Sequence, residues 1–229
     1  MRIQWGSPPA PPAPVEEAQN GRPIRQPGKW PSAILSSLAG LVLLTIPAVG
    51  LMVYSFLHER VNEFIGTPDD AGMWIALFLA FFLCIPVHEL LHAALYPDFG
   101  RSDSTMLFVD FRKFQFGVYY EGTISRARWL AMRLFPILGL TILPLIVWMA
   151  AIGGLTRASE TFLMVLVITN SLGSGGDLVA ALLVLLQVPS SGLLNFYRGK
   201  AYWKPAEHQA ARPPAAIKTG ESSAKGDRS

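Results

Sequence analysis

The chain has 229 residues, 51% of them hydrophobic and 15% charged, which is too apolar for an ordinary soluble domain. A formal net charge of +3, spread over several segments, argues against a nucleic-acid partner, and the single cysteine, Cys84, excludes an internal disulfide.

Residues 1–31 are proline-rich and contain no apolar signal core, so they predict a disordered cytoplasmic arm and not a cleavable signal peptide. Four apolar stretches follow, at about 32–57, 71–96, 129–153 and 161–188, each near the ~20 residues that cross hydrocarbon. Together they predict an all-α membrane protein of about four transmembrane helices, with a membrane domain over 32–205. The first stretch then serves as an uncleaved signal anchor.

The second stretch carries His88-Glu89-Leu90-Leu91-His92 near its end. An isolated charge at a bilayer centre costs about 2.5–3.5 kcal/mol even on lenient scales, so three ionisable side chains need a purpose. Histidines four apart lie one turn apart on one helix face and can offer two imidazole nitrogens to one zinc ion. Glu89 is then placed to reach a metal-bound water as general base, the arrangement of HExxH metalloproteases. Cys84, one turn before His88 and without a partner thiol, reads as a small buried apolar residue.

Residues 97–128 are richer in structure than a connector requires. Thr105 to Phe111 and Phe114 to Tyr120 are β-branched and aromatic, flank Arg112 and Lys113, and predict a short β-hairpin. Such a hairpin can pack at the membrane surface, or offer an edge strand to an extended peptide. In the third stretch Arg133 reads as an anchor snorkelling to the interface, and kinks are expected at Pro86, Pro136 and Pro144.

Catalytic zinc takes three protein ligands and leaves a position for water, so a third ligand must come from elsewhere. His58 lies at the far end of the first stretch and His208 in the tail, which leaves Asp177 in the fourth. His88 lies 17 residues into its span, or ~25 Å, and Asp177 lies 16 residues into a parallel one, or ~24 Å, so the two reach similar depth. The alternative for Asp177 is a helix-capping carboxylate after the Gly175-Gly176 break. Residues 206–229 are polar, interrupted by Pro213 and Pro214, and predict a second disordered cytoplasmic tail. Lys and Arg concentrate before the first stretch, between the second and third, and after the fourth, which places both termini and the middle loop in the cytoplasm.

His88-Glu89-Leu90-Leu91-His92 in one span, with an Asn170-to-Asp177 segment one span later, resembles the site-2 branch of intramembrane zinc proteases. It resembles more closely a family of small bacterial membrane proteins described as putative zincin peptidases, which carry H-E-L-x-H and a later Gly-Asp. The resemblance covers about 71–188. The site-2 segment runs Asn-x-x-Pro, whereas here Gly173, Gly175 and Gly176 stand where unwound backbone is needed. The resemblance implies zinc on His88, His92 and Asp177, Glu89 as base, and Asn170 as a residue holding substrate or the tetrahedral intermediate. A buried Asn170 bonding a neighbouring helix is the alternative.

The function expected is that of an intramembrane zinc metallopeptidase, hydrolysing membrane-protein or membrane-proximal peptides at or within the cytoplasmic side of a bacterial inner membrane. The alternative is a non-catalytic membrane protein that binds metal or partner proteins, either an inactive peptidase relative or a helical scaffold. Nucleic acid is not expected as a partner.

Overall fold

A computed structural model describes residues 1–6, 21–58, 71–112, 115–151, 154–197 and 200–206. The expectations for the middle of the proline-rich arm, for Lys113 and Phe114, and for the tail from residue 207 onward lie outside the described residues.

The first apolar stretch forms α1, Lys29–His58, and the second forms α2, Ala71–Ala94. The third is a compound helix: α3, Arg126–Ile137, runs through a π-turn at Leu138–Ile142 into α4, Leu143–Ala150. The fourth is broken into α5, Arg157–Gly173, and α6, Gly175–Gln187, bent by 44°. α1, α2 and the compound helix are long and apolar enough to cross a membrane, and the bent pair makes a fourth if counted as one span. Their outward faces carry Phe56, Phe78, Phe82 and Leu186, all exposed, where a soluble protein would place charge.

Local chemistry sets several of these boundaries. The Ser125 hydroxyl caps α3 by accepting from Arg128 N–H, and Thr156 caps α5 by accepting from Ser159 N–H. The π-turn lies between Pro136 and Pro144, which lack the N–H groups a regular helix needs, and Leu143 N–H bonds back to Leu138 O across it.

The mostly helical fold is as expected, but the chain is not all-α. β1, Arg2–Trp5, pairs in parallel with β3, Thr105–Asp110, which pairs antiparallel with β4, Gln115–Tyr120. A second sheet has the order β2-β7-β6-β5, from Arg22–Pro23, Lys200–Lys204, Leu193–Tyr197 and Ile124–Ser125. The β3–β4 hairpin matches the predicted one. Both ends of the described arm, expected to be disordered, are strands, because each finds a partner edge distant in sequence: Arg2 stands beside Met106 and Arg22 beside Trp203. The β6–β7 hairpin was unforeseen, although Leu194 and Ala201 face inward from it and are buried.

The main core joins the helix ends to this second sheet through Ala93, Tyr96, Trp129, Met132, Val184 and Leu194. A second cluster around Tyr54, Trp148 and Val167 fills the opposite end of the bundle, and Cys84 is buried in a third with Ala80, Leu140 and Leu166. The Tyr119 hydroxyl donates to Phe196 O at 2.9 Å and ties the two sheets together. Burial and the nearby Glu121 carboxylate push that phenol above its usual range, so it stays a neutral donor at physiological pH.

α1 crosses the α5–α6 break at backbone contact. A Cβ on Gly175 would collide with Ser36 O and stand 2.6 Å from Gly40 N, and one on Gly40 would stand 2.6 Å from Leu172 O. Gly175→Ala is therefore expected to push α1 away and destabilise the protein by about 1–3 kcal/mol. Thermal unfolding in detergent reads this, and an unchanged midpoint would show that the crossing is looser than described.

Candidate metal centre

The break between α5 and α6 turns the start of α6 toward the last turns of α2. Asp177, in the first turn of α6, thereby meets His88 and His92. Its Oδ2 lies 2.9 Å from His88 Nε2 and 3.3 Å from His92 Nε2, and the two Nε2 atoms are 3.1 Å apart. His92 and Asp177 are each 5% exposed.

The far side of each imidazole determines what these three atoms carry. His92 Nδ1 lies 2.8 Å from Met132 O, which can only accept, so Nδ1 donates. That carbonyl is available because Pro136, four residues on, has no N–H to claim it. His88 Nδ1 lies 2.8 Å from Asn170 Oδ1. The Asn170 orientation follows from its other end, where Nδ2 donates to Pro136 O at 2.9 Å and to Thr141 Oγ1 at 3.0 Å. His88 Nδ1 is therefore a donor too. In the neutral imidazoles both Nε2 atoms then present lone pairs, and these converge with a carboxylate oxygen.

Three proton-free acceptors within 3.3 Å of one another repel unless a cation lies among them. A single added proton bridges only one of the pairs, whereas a metal ion satisfies all three. Tetrahedral zinc with ligands at about 2.0–2.1 Å has ligand-to-ligand edges of about 3.3 Å. The observed triangle is slightly contracted from that, and each histidine has the second hydrogen bond that metal-ligating imidazoles use to fix their tautomer. The donor set fits zinc.

Glu89 faces the same space without joining the triangle: one ligand-capable atom from each of His88, Glu89 and His92 falls within a 4.8 Å group. Its Oε2 accepts from Val118 N–H of β4 at 3.2 Å. The Tyr96 hydroxyl lies 3.5 Å from Val118 O, so the outward edge of β4 runs along the end of α2 beside the glutamate.

The structure brings His88, Glu89, His92, Asn170 and Asp177 into one site. Asp177 is not a helix cap, since its oxygens meet the histidines and an arginine. Asn170, 1% exposed, holds His88, with Thr141 and Ser171 completing a buried polar chain behind it. The reading of Arg133 as an interface anchor is corrected: its Nη1 donates to Asp177 Oδ1 at 2.8 Å, and its guanidinium lies 5.0 Å from the Trp129 ring centroid. The carboxylate across the bundle outcompetes the interface as its partner. A cation inside an apolar stretch was a visible signal for that role. The contributions of Met132 O and Val118 N–H left no side-chain signal, because any residue supplies them.

Residues 81–193 match the family model described as "Putative zincin peptidase", and this span holds every side chain of the site. No curated protein and no solved structure matches the chain.

Proposed function

We propose that the protein is a zinc-dependent metallopeptidase of the HExxH type. It cuts membrane proteins or membrane-proximal peptides at or within the cytoplasmic side of the bilayer. The convergence of His88 Nε2, His92 Nε2 and Asp177 Oδ2, with the Nδ1 atom of each imidazole already committed to an acceptor behind it, is the observation that carries this reading. The family match and the apolar outward faces of the helices support it.

His88, His92 and Asp177 would hold the metal, and Asn170 and Met132 O would keep the imidazoles in the ligating tautomer. Zinc bound there supplies a Lewis acid and lowers the pKa of a water toward about 7. Glu89 takes the proton from the attacking water and returns it to the leaving amine, while Val118 N–H holds its carboxylate beside the site. The outward edge of β4 offers main-chain groups next to Glu89, where an extended peptide can pair. A helical substrate must unwind to do so, because its own carbonyls are occupied. The Lys and Arg distribution supports a cytoplasmic location for this end of the bundle.

The test is reconstitution in vesicles with a library of transmembrane and unstructured peptides, read by mass spectrometry. Zinc-dependent cuts that chelation removes and added zinc restores are the expected result. Stoichiometric zinc with no cuts would favour a membrane protein that binds metal or partners without cutting.

A further inference from the structure

The proposed reaction leaves two polar groups of the site without use. Trp129 and Arg133 stand one turn apart on α3, stacked ring on guanidinium. Trp129 Nε1–H and Arg133 Nε–H are both buried and, among the described residues, have no hydrogen-bond partner. Trp129 is only 2% exposed. A buried donor left unmade costs free energy, more so when it belongs to a cation and the surroundings are apolar. Two such donors on stacked side chains, one turn apart, call for an acceptor.

There is room for one. Both side chains wall a cavity of about 50 Å³ that reaches Tyr96 and Val118 of the β4 edge. Both also wall a second cavity of about 160 Å³ that runs along α6 past Gly176 and Leu183. The two side chains therefore border both the edge proposed to hold the peptide and a space large enough for a side chain.

We propose that Trp129 and Arg133 form a recognition site for a carboxylate on the peptide substrate, next to the scissile bond. This rests on the metallopeptidase reading and adds to it a substrate class. The ligand is a carboxylate because one donor is a guanidinium, whose planar N–H groups match a planar anion. The balance of charge agrees: bound zinc and Arg133 together outweigh the carboxylates of Asp177 and Glu89. The carboxylate belongs either to an aspartate or glutamate beside the cut or to a free chain terminus, as in a carboxypeptidase.

The test uses short peptide hydroxamates, which bind zinc without being cut, on zinc-loaded full-length protein. One compound carries an aspartate next to the hydroxamate, a second carries asparagine there, and a third has a neutral side chain with a free terminal carboxylate. Tighter binding of the first or the third by about tenfold over the asparagine compound is expected, and which of the two gains identifies the source. Trp129→Phe keeps an aromatic face for Arg133 and removes the indole N–H donor, so it should reduce that gain several-fold while zinc content stays unchanged. Equal binding of all three compounds, or a gain untouched by Trp129→Phe, overturns the proposal. Failure of every hydroxamate to bind the zinc-loaded protein would instead overturn the metallopeptidase reading, and the substrate pocket with it.

Discussion

Glu89→Gln is expected to lower peptide hydrolysis by about 10²- to 10⁴-fold, the usual contribution of a general base, while zinc stays bound at wild-type stoichiometry. The substitution isolates proton transfer because the glutamine side chain still presents a carbonyl oxygen to Val118 N–H, the contact Glu89 Oε2 makes now at 3.2 Å. Packing at the end of α2 and the position of β4 are then preserved, and the only thing removed is a group that takes up a proton. Parallel measurement of turnover and of zinc by elemental mass spectrometry checks the result. Full activity in a zinc-loaded Glu89→Gln protein would remove Glu89 from the reaction.

Loss of any corner of the acceptor triangle should be felt first as loss of metal. His92→Ala and Asp177→Asn are each expected to weaken zinc binding by more than about 100-fold, since even partners behind the ligands contribute 10- to 100-fold. Asp177→Asn is the more informative variant. It keeps the shape of the side chain, but its neutral amide no longer balances Arg133, whose Nη1 lies 2.8 Å from Asp177 Oδ1. A cation left without its partner in this half-buried position should also lower stability, by up to about 3 kcal/mol. Competition with a chromogenic chelator reads the affinity, and thermal unfolding with and without zinc separates it from the folding effect. Wild-type zinc affinity in Asp177→Asn would exclude the aspartate as a ligand and leave a two-histidine centre.

The two expectations separate two layers of the site. On the proposed function Glu89 would act on the water, while His88, His92 and Asp177 would hold the ion. Behind them Asn170, Thr141 and Met132 O engage the Nδ1 side of the imidazoles and leave Nε2 facing Asp177. The third apolar helix serves both tasks because its prolines interrupt the backbone ladder: Pro136 frees Met132 O for His92, and its own carbonyl accepts from Asn170.

What could be read from the chain alone was whatever is local. Long apolar runs stand out in a sequence, so the four stretches were visible, with ends close to those of the helices that are long and apolar enough to cross a membrane and of the bent pair. The pairing of His88 with His92 follows from one turn of helix, and the β3–β4 hairpin from two adjacent alternating segments. Asp177 was within reach because depth in a helix is countable from its entry point. Tertiary structure alone decided the rest. The strands at Arg2–Trp5 and Arg22–Pro23 exist only because β3 and β7, far along the chain, offer them an edge. Arg133 could equally well have snorkelled to the interface until packing placed the Asp177 carboxylate within 2.8 Å of it. The tautomers that leave two Nε2 lone pairs facing a carboxylate depend on a carbonyl and an amide from two other helices. Backbone groups and long-range partners carry no residue-type signature, and their roles arise only when the helices converge.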